Sequence, residues 1–233
     1  MKKILTSICV LTLSISVFAQ QFNLGKVSFA TEQTWTIGSQ TWSDAVQAEN
    51  CSNKTTFKGF SLNGEVRTYN IDCRSNPNHK GDLFSWRAVN ELKNELCPYP
   101  WRVPTPQDFI NLDIALGGNG SWQDDSDHRD KYFNVWGAVY GGSANPDGTL
   151  ADFGLSANYW SQSEYSEECQ CRCNPGGNKI NTQGDEVTYW QFPGYFAADY
   201  GCCLLIESLG TVTPQSRSFK YFGQTLRCVR DKE

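Results

Sequence analysis

The chain has 233 residues, with 20 Lys and Arg against 25 Asp and Glu, a net charge of −5, and 8 Trp, 10 Tyr, 13 Phe and 10 Cys. The acidic balance excludes nucleic acid as a partner, because a phosphate backbone demands a basic face, and gives no attraction to anionic lipid. The length suits one domain with its own core.

The first element is a leader. Lys2 and Lys3 precede an apolar run, Ile4–Phe18, which is too short to span a bilayer, and Val17-Phe18-Ala19 places small residues where a signal peptidase cuts. Residues 1–19 are therefore expected to be a signal peptide and 20–233 the exported chain, extracellular, on the cell surface or periplasmic. Thr6-Ser7-Ile8 before Cys9 is a poor lipid-attachment signal, and no second long apolar run follows, so an integral membrane protein is not expected. Cleavage takes the charge to −7, since Lys2 and Lys3 are lost, and leaves nine cysteines. In an oxidising compartment they imply a disulfide framework with one cysteine over.

Short strands are predicted at Lys26–Thr31, Thr34–Ile37 and Gln40–Trp42, with a tight turn at Ile37-Gly38-Ser39-Gln40. Thr55–Asp72 reads as a strand pair turning at Asn63-Gly64; Cys51 and Cys73 bracket it, and a bridge between them would staple its base. Ser85–Leu96 is helical by period, with Trp86, Val89 and Leu96 on its apolar stripe. Cys97-Pro98 ends it. A bridge from Cys97 to Cys228 in the last strand would close the domain by its own ends.

Thr105–Leu116 is a second helix. Thr105 caps it, Pro106 suits its first turn, Asp108 suits its dipole, and Phe109, Leu112 and Leu116 form its apolar stripe before Gly117-Gly118. After Gly117 only strands are expected, at Asn134–Tyr140, Asn158–Ser161, Val187–Phe192, Cys203–Glu207, Gly210–Val212 and Gln224–Arg230. Trp86, Trp101 and Trp160 are expected in the core. The order points to an α+β domain, mainly antiparallel, with two helices in its first half.

The polar segment 164–184 reads as an inserted loop stapled through Cys169, Cys171 and Cys173. Pairing among these three and Cys202 and Cys203 is open. A thiolate metal site is the competing reading, and export argues against it.

Little here marks chemistry. His79 and His128 have no metal-binding spacing, and neither a nucleophile elbow nor a phosphate-cradling glycine loop occurs. Asp124, Asp125, Asp127 and Asp130 form an acidic run with enough oxygen ligands for calcium, set against the reading of a solvated surface loop. No other cofactor is expected. Tyr189, Trp190, Phe192, Tyr195 and Tyr200 crowd around Pro193-Gly194, with Asp199 beside them. Aromatics so placed are core or a ligand platform; the expected ligand contacts are Tyr189, Trp190, Phe192, Tyr195 and Asp199.

Five runs together resemble one family: Trp35–Trp42 (WTIGSQTW), Phe84–Ala88 (FSWRA), Cys97–Thr105 (CPYPWRVPT), Tyr159–Ser163 (YWSQS) and Leu226–Asp231 (LRCVRD). They are similar to the Fibrobacter succinogenes major paralogous domain of secreted Bacteroidota and Fibrobacter proteins. The resemblance implies a C-type lectin-like fold. Cys97 and Cys228 then match that fold's long-range bridge, and Glu164–Tyr200 its ligand-binding long loop. Calcium-dependent sugar motifs are absent; Asn145-Pro146-Asp147 reads as a turn. The resemblance implies a non-catalytic module, adhesive in type, binding a glycan or a cell-surface protein. The alternatives are an enzyme of the formylglycine-generating branch of that fold, or an envelope component assembled through the odd cysteine.

Overall fold

The computed structural model describes residues 22–51, 71–164 and 200–232, with the backbone alone at 179–180 and 186–187. The expected leader, the expected turn at Asn63-Gly64, Cys169, Cys171 and Cys173, and the ligand candidates Tyr189, Trp190, Phe192, Tyr195 and Asp199 lie outside the described residues.

The chain opens with β1 (Val27–Phe29), β2 (Thr34–Ile37) and β3 (Gln40–Ala48). The β2–β3 hairpin pairs Ile37 with Gln40 across Gly38-Ser39, and Gly38 takes φ +60°, which glycine adopts without strain. β4 (Cys73–Ser75) and β5 (Asp82–Ser85) follow. Then come α1 (Trp86–Glu91) and α2 (Lys93–Leu96). The single helix expected over Ser85–Leu96 is thus broken at Leu92, whose φ and ψ of −107° and 22° leave the helical region.

α3 (Pro106–Ala115) starts as its sequence predicts. The Thr105 hydroxyl accepts from the Asp108 backbone N–H, and the Asp108 carboxylate accepts from the Thr105 N–H at 2.7 Å. After β6 (Gln123–Asp124) comes α4 (Ser126–Asn134). This helix overturns the expectation of strands alone after Gly117. The hairpin of β7 (Ser143–Ala144) and β8 (Leu150–Ala151) and the long β9 (Ser156–Glu164) follow. A two-residue ladder joins β10 (Lys179–Ile180) to β11 (Glu186–Val187). The chain closes with β12 (Tyr200–Glu207), β13 (Thr211–Phe219), β14 (Gly223–Thr225) and β15 (Arg227–Asp231).

The result is an α+β fold of mostly antiparallel sheets. Among the described residues the larger sheet runs β4-β5-β14-β9-β12-β13-β6, with β7 and β8 attached, and only β14–β9 is parallel. A smaller sheet places β3 between β15 and the β1 and β2 strands. The last strands, separated by Leu226 alone, serve both sheets.

Side chains alternate across the large sheet, so it separates two cores. On one face Trp160, Cys203 and Phe84 pack with Ala88, Val89 and Leu96 of α1 and α2. On the other, Tyr159, Leu204 and Ile206 pack with Phe109, Leu112 and Leu116 of α3 and with Tyr132 and Trp136 from and after α4. Trp160 is wholly buried and donates to the Phe84 carbonyl at 2.7 Å. Trp86 and Trp101 are only half-buried and flank the first core, because each lies under a cation instead of a second wall: Lys220 at 4.3 Å and Arg230 at 4.8 Å from the ring centres. Two disulfides close the frame, Cys51–Cys73 and Cys97–Cys228. Among the described residues no helix is long and apolar enough to cross a membrane.

Candidate functional site

The register of β9 on β12 sets up a cleft. Trp160 pairs with Cys203, Asn158 with Leu205, and Ser156 with Glu207. These pairs share one face, by the two-residue period of strands. The first pair lies in the core beneath α1 and α2. The next two continue past that cover and floor an open cleft of about 520 Å³, together with Ser218 of β13 and Gln224 of β14.

Its walls are fixed locally. Asp152 sits in the left-handed region at φ 58°, and its carbonyl accepts from the Leu155 and Ser156 N–H groups at 2.9 and 3.0 Å. That turn aims Asp152 and Leu155 at the cleft. Gly142 carries φ +68°, and a Cβ there would lie 2.1 Å from the Ala151 carbonyl oxygen, so only glycine lets the β7–β8 hairpin close against the wall. At the hairpin tip Asn145-Pro146-Asp147 forms a turn, with the Gly148 N–H donating to the Asn145 carbonyl at 2.8 Å.

Gln224 distinguishes this cleft from a surface dent. Its strand is paired on both sides, with Phe84 opposite on β5 and the Thr225–Tyr159 pair to β9. The side chain is 1% exposed, lines the cleft, and its Oε1 has no hydrogen-bond partner. A buried acceptor left so costs about 1–3 kcal/mol, and such groups in native proteins mark ligand or strain sites. Beside it stands Phe222, the end of an aromatic ladder. Tyr200 stacks on Phe219 at 4.4 Å, Phe219 on Tyr221 at 4.9 Å, and Tyr221 meets Phe222 at 5.2 Å. The rings are half-buried and run from the start of β12 to the cleft.

Three other constellations hold the fold. Asp113, fully buried, faces His128 Nε2 at 2.7 Å and accepts from the Tyr132 hydroxyl at 2.8 Å and the Gly120 N–H at 2.7 Å. It resembles an acid–base dyad, but it lies inside the second core, away from the cleft. Arg227, 2% exposed, is sandwiched between Trp35 and Trp136 at 4.1 and 4.2 Å and donates to the Ser43 and Trp136 carbonyls. Burial pulls its pKa down to about 10, so it stays cationic at neutral pH. Lys220, ion-paired with Glu164 and lying over Trp86, is pulled down to about 8 by burial. It ties the end of β9 to the β13–β14 turn.

The acidic run Asp124, Asp125, Asp127 and Asp130 is solvent-exposed but is not a loop. It ends β6 and begins α4. Asp125 is the N-cap, accepting from the Asp127 and His128 N–H groups at 2.9 and 3.2 Å; Asp127 is in the first turn, and Asp130 pairs with Arg129. Among the described residues no three His, Cys, Asp or Glu side chains gather as a metal site. Cys202 and Cys203 are buried on β12. The strand expected over Asn134–Tyr140 is the end of α4 and a loop, broken where Gly137 takes φ +70° against the Trp35 ring.

Burial pushes Asp82 up to about 6, against the opposing hydrogen bond from the Ala48 N–H. A folded-state pKa raised above the unfolded 3.8 means that stability falls as pH rises from about 4 to 6 and is flat above. Asp82→Asn keeps the acceptor for Ala48 and removes the charge. We expect it to be more stable than wild type by about 1–2 kcal/mol at pH 7.5, with the gap closing near pH 4. Urea titrations at the two pH values check this; a variant less stable at pH 7.5 contradicts it.

The model of the Fibrobacter succinogenes major domain family matches residues 36–230, and the chain belongs to that family. No curated protein and no solved structure matches the chain.

Proposed function

We propose that this is an exported, non-catalytic binding module of C-type lectin-like architecture that recognises a glycan on a surface or matrix. One observation carries the placing of the site: the buried, unpartnered Oε1 of Gln224 in a cleft walled by Phe222. Aromatic faces suit the apolar faces of sugar rings, and a few fixed polar groups orient hydroxyls. The Ser156, Asn158 and Gln224 side chains supply such groups on the cleft face of the sheet. The aromatic segment Tyr189–Phe196 precedes Tyr200 in sequence, and Tyr200 begins the ladder that ends at Phe222. Export rests on the leader at residues 1–19.

A glycan array probed with the full exported chain tests the reading. Phe222→Ala and Gln224→Ala should each weaken binding of any array ligand by about tenfold or more while the melting temperature shows a folded protein. Unchanged affinity in both folded variants removes the site from the cleft. Retention on surface-protein preparations with no array signal favours a protein partner.

A further inference from the structure

We infer that the cleft selects a cationic sugar chain, a polymer of hexosamine with free amines, over neutral and acidic ones; this rests on the cleft being the glycan site. Among the described residues the charged side chains lining it are Asp152 and Glu207, with no Lys, Arg or His. Both acids adjoin Ser156: Glu207 is its partner in the β9–β12 ladder, and the Asp152 carbonyl accepts from its N–H. Arg129 donates to the carbonyl of the lining residue Ser208 at 2.6 Å and is already paired with Asp130.

The hydrogen-bonding needs agree with the charge. Gln224 Oε1 is an acceptor only, as are the two carboxylates. Gln224 lies beside Asn158, because its neighbour Thr225 pairs with Tyr159; the acids lie two residues along the strand, at Ser156. That spacing is about 7 Å. A ligand here must bring donors at both ends of that interval. An ammonium has three donors and no acceptor, whereas a uronic acid would set its carboxylate against Asp152 and Glu207. Phe222 and Leu205 give either sugar the same apolar wall, so charge is what separates them.

Three β-1,4-linked hexamers test this by calorimetry on the full exported chain: glucosamine, glucose and glucuronic acid, alike in backbone and differing in charge. At low salt the glucosamine chain should bind about tenfold tighter than the glucose chain, with the preference shrinking as salt is added, and the glucuronic chain should bind weakest. The whole protein is acidic, so a cation has other places to adhere. Asp152→Asn combined with Glu207→Gln localises the effect: it should remove the preference, so that the glucosamine and glucose chains bind alike. Equal binding of the first two hexamers, or a preference that survives in the double variant, overturns the proposal while Gln224→Ala still reports on the cleft. Binding of none of the three also overturns it; the cleft reading itself falls only if both Phe222→Ala and Gln224→Ala leave array ligands unaffected.

Discussion

Replacing Cys97 and Cys228 together by Ala should lower the unfolding free energy by about 5 kcal/mol, the most of any pair in the frame. The bridge spans 131 residues of sequence, from the end of α2 to the start of β15. Cross-linking a loop of that length removes much of the unfolded chain's freedom. Cys51–Cys73 spans only 22, and the same argument gives about 3 kcal/mol for it. The logarithmic dependence on loop length therefore predicts an order as well as a size. The longer bridge also sits in the first core, with both sulfurs' residues at most 2% exposed and packed with Leu96, Val103 and Leu226. Two Ala residues there leave a cavity, which adds to the loss. Denaturant unfolding of the two double variants against wild type measures both. Equal losses would show that loop length is not what matters.

Elements whose signals are local were legible. The Thr105-Pro106-x-Asp108 start of α3 and the Gly38-Ser39 turn both form as the residues dictate, since each needs only its own neighbours. Cys51–Cys73 could be anticipated because the two cysteines bracket an expected strand pair, and Cys97–Cys228 because the family resemblance implied that long-range bridge. α4 was hidden because only His128 and Tyr132 of it are buried, too few for an apolar stripe. The signal was present in another form: Asp125 is a good cap, acids follow in the first turn, and His128, Tyr132 and Trp136 recur every four residues. The Asn134–Tyr140 alternation looked like a strand, and a glycine with a positive φ defeated it.

The cleft was not legible at all. Asn158 and Trp160 occupy equivalent places in the two-residue period, yet one is floor and the other is core. The difference lies in how far α1 extends over the sheet, which no residue of β9 records. Gln224 likewise reads as an ordinary polar position in a strand. It becomes informative only when pairing on both sides buries it without a partner for its Oε1. Of the aromatic-rich segment only Tyr200 lies among the described residues, where it begins the ladder that ends at Phe222.

Asp113→Ala should cost about 4 kcal/mol or more, because the carboxylate is the one acceptor for several buried donors. It takes the Tyr132 hydroxyl and His128 Nε2 on one oxygen, and the Gly120 N–H and the Gln123 amide on the other. Truncation leaves three of these inside the protein with nothing to bond, while the desolvation cost remains. Asp113→Asn should cost roughly half as much, since it keeps one oxygen but turns an N–H₂ toward donors on the other side. Urea titration at neutral pH separates the two, and an Ala variant within 1 kcal/mol of wild type (roughly one ordinary hydrogen bond) would mean that the donors find other acceptors. The loss should also be uneven. α4 is anchored chiefly by His128 and Tyr132, the two side chains whose acceptor disappears. Its amides, such as Arg129 bonded to the Asp125 carbonyl and Val135 to that of Lys131, should lose hydrogen-exchange protection first. Those of β12, held by β9 and β13 on both sides, should keep it until the whole domain opens.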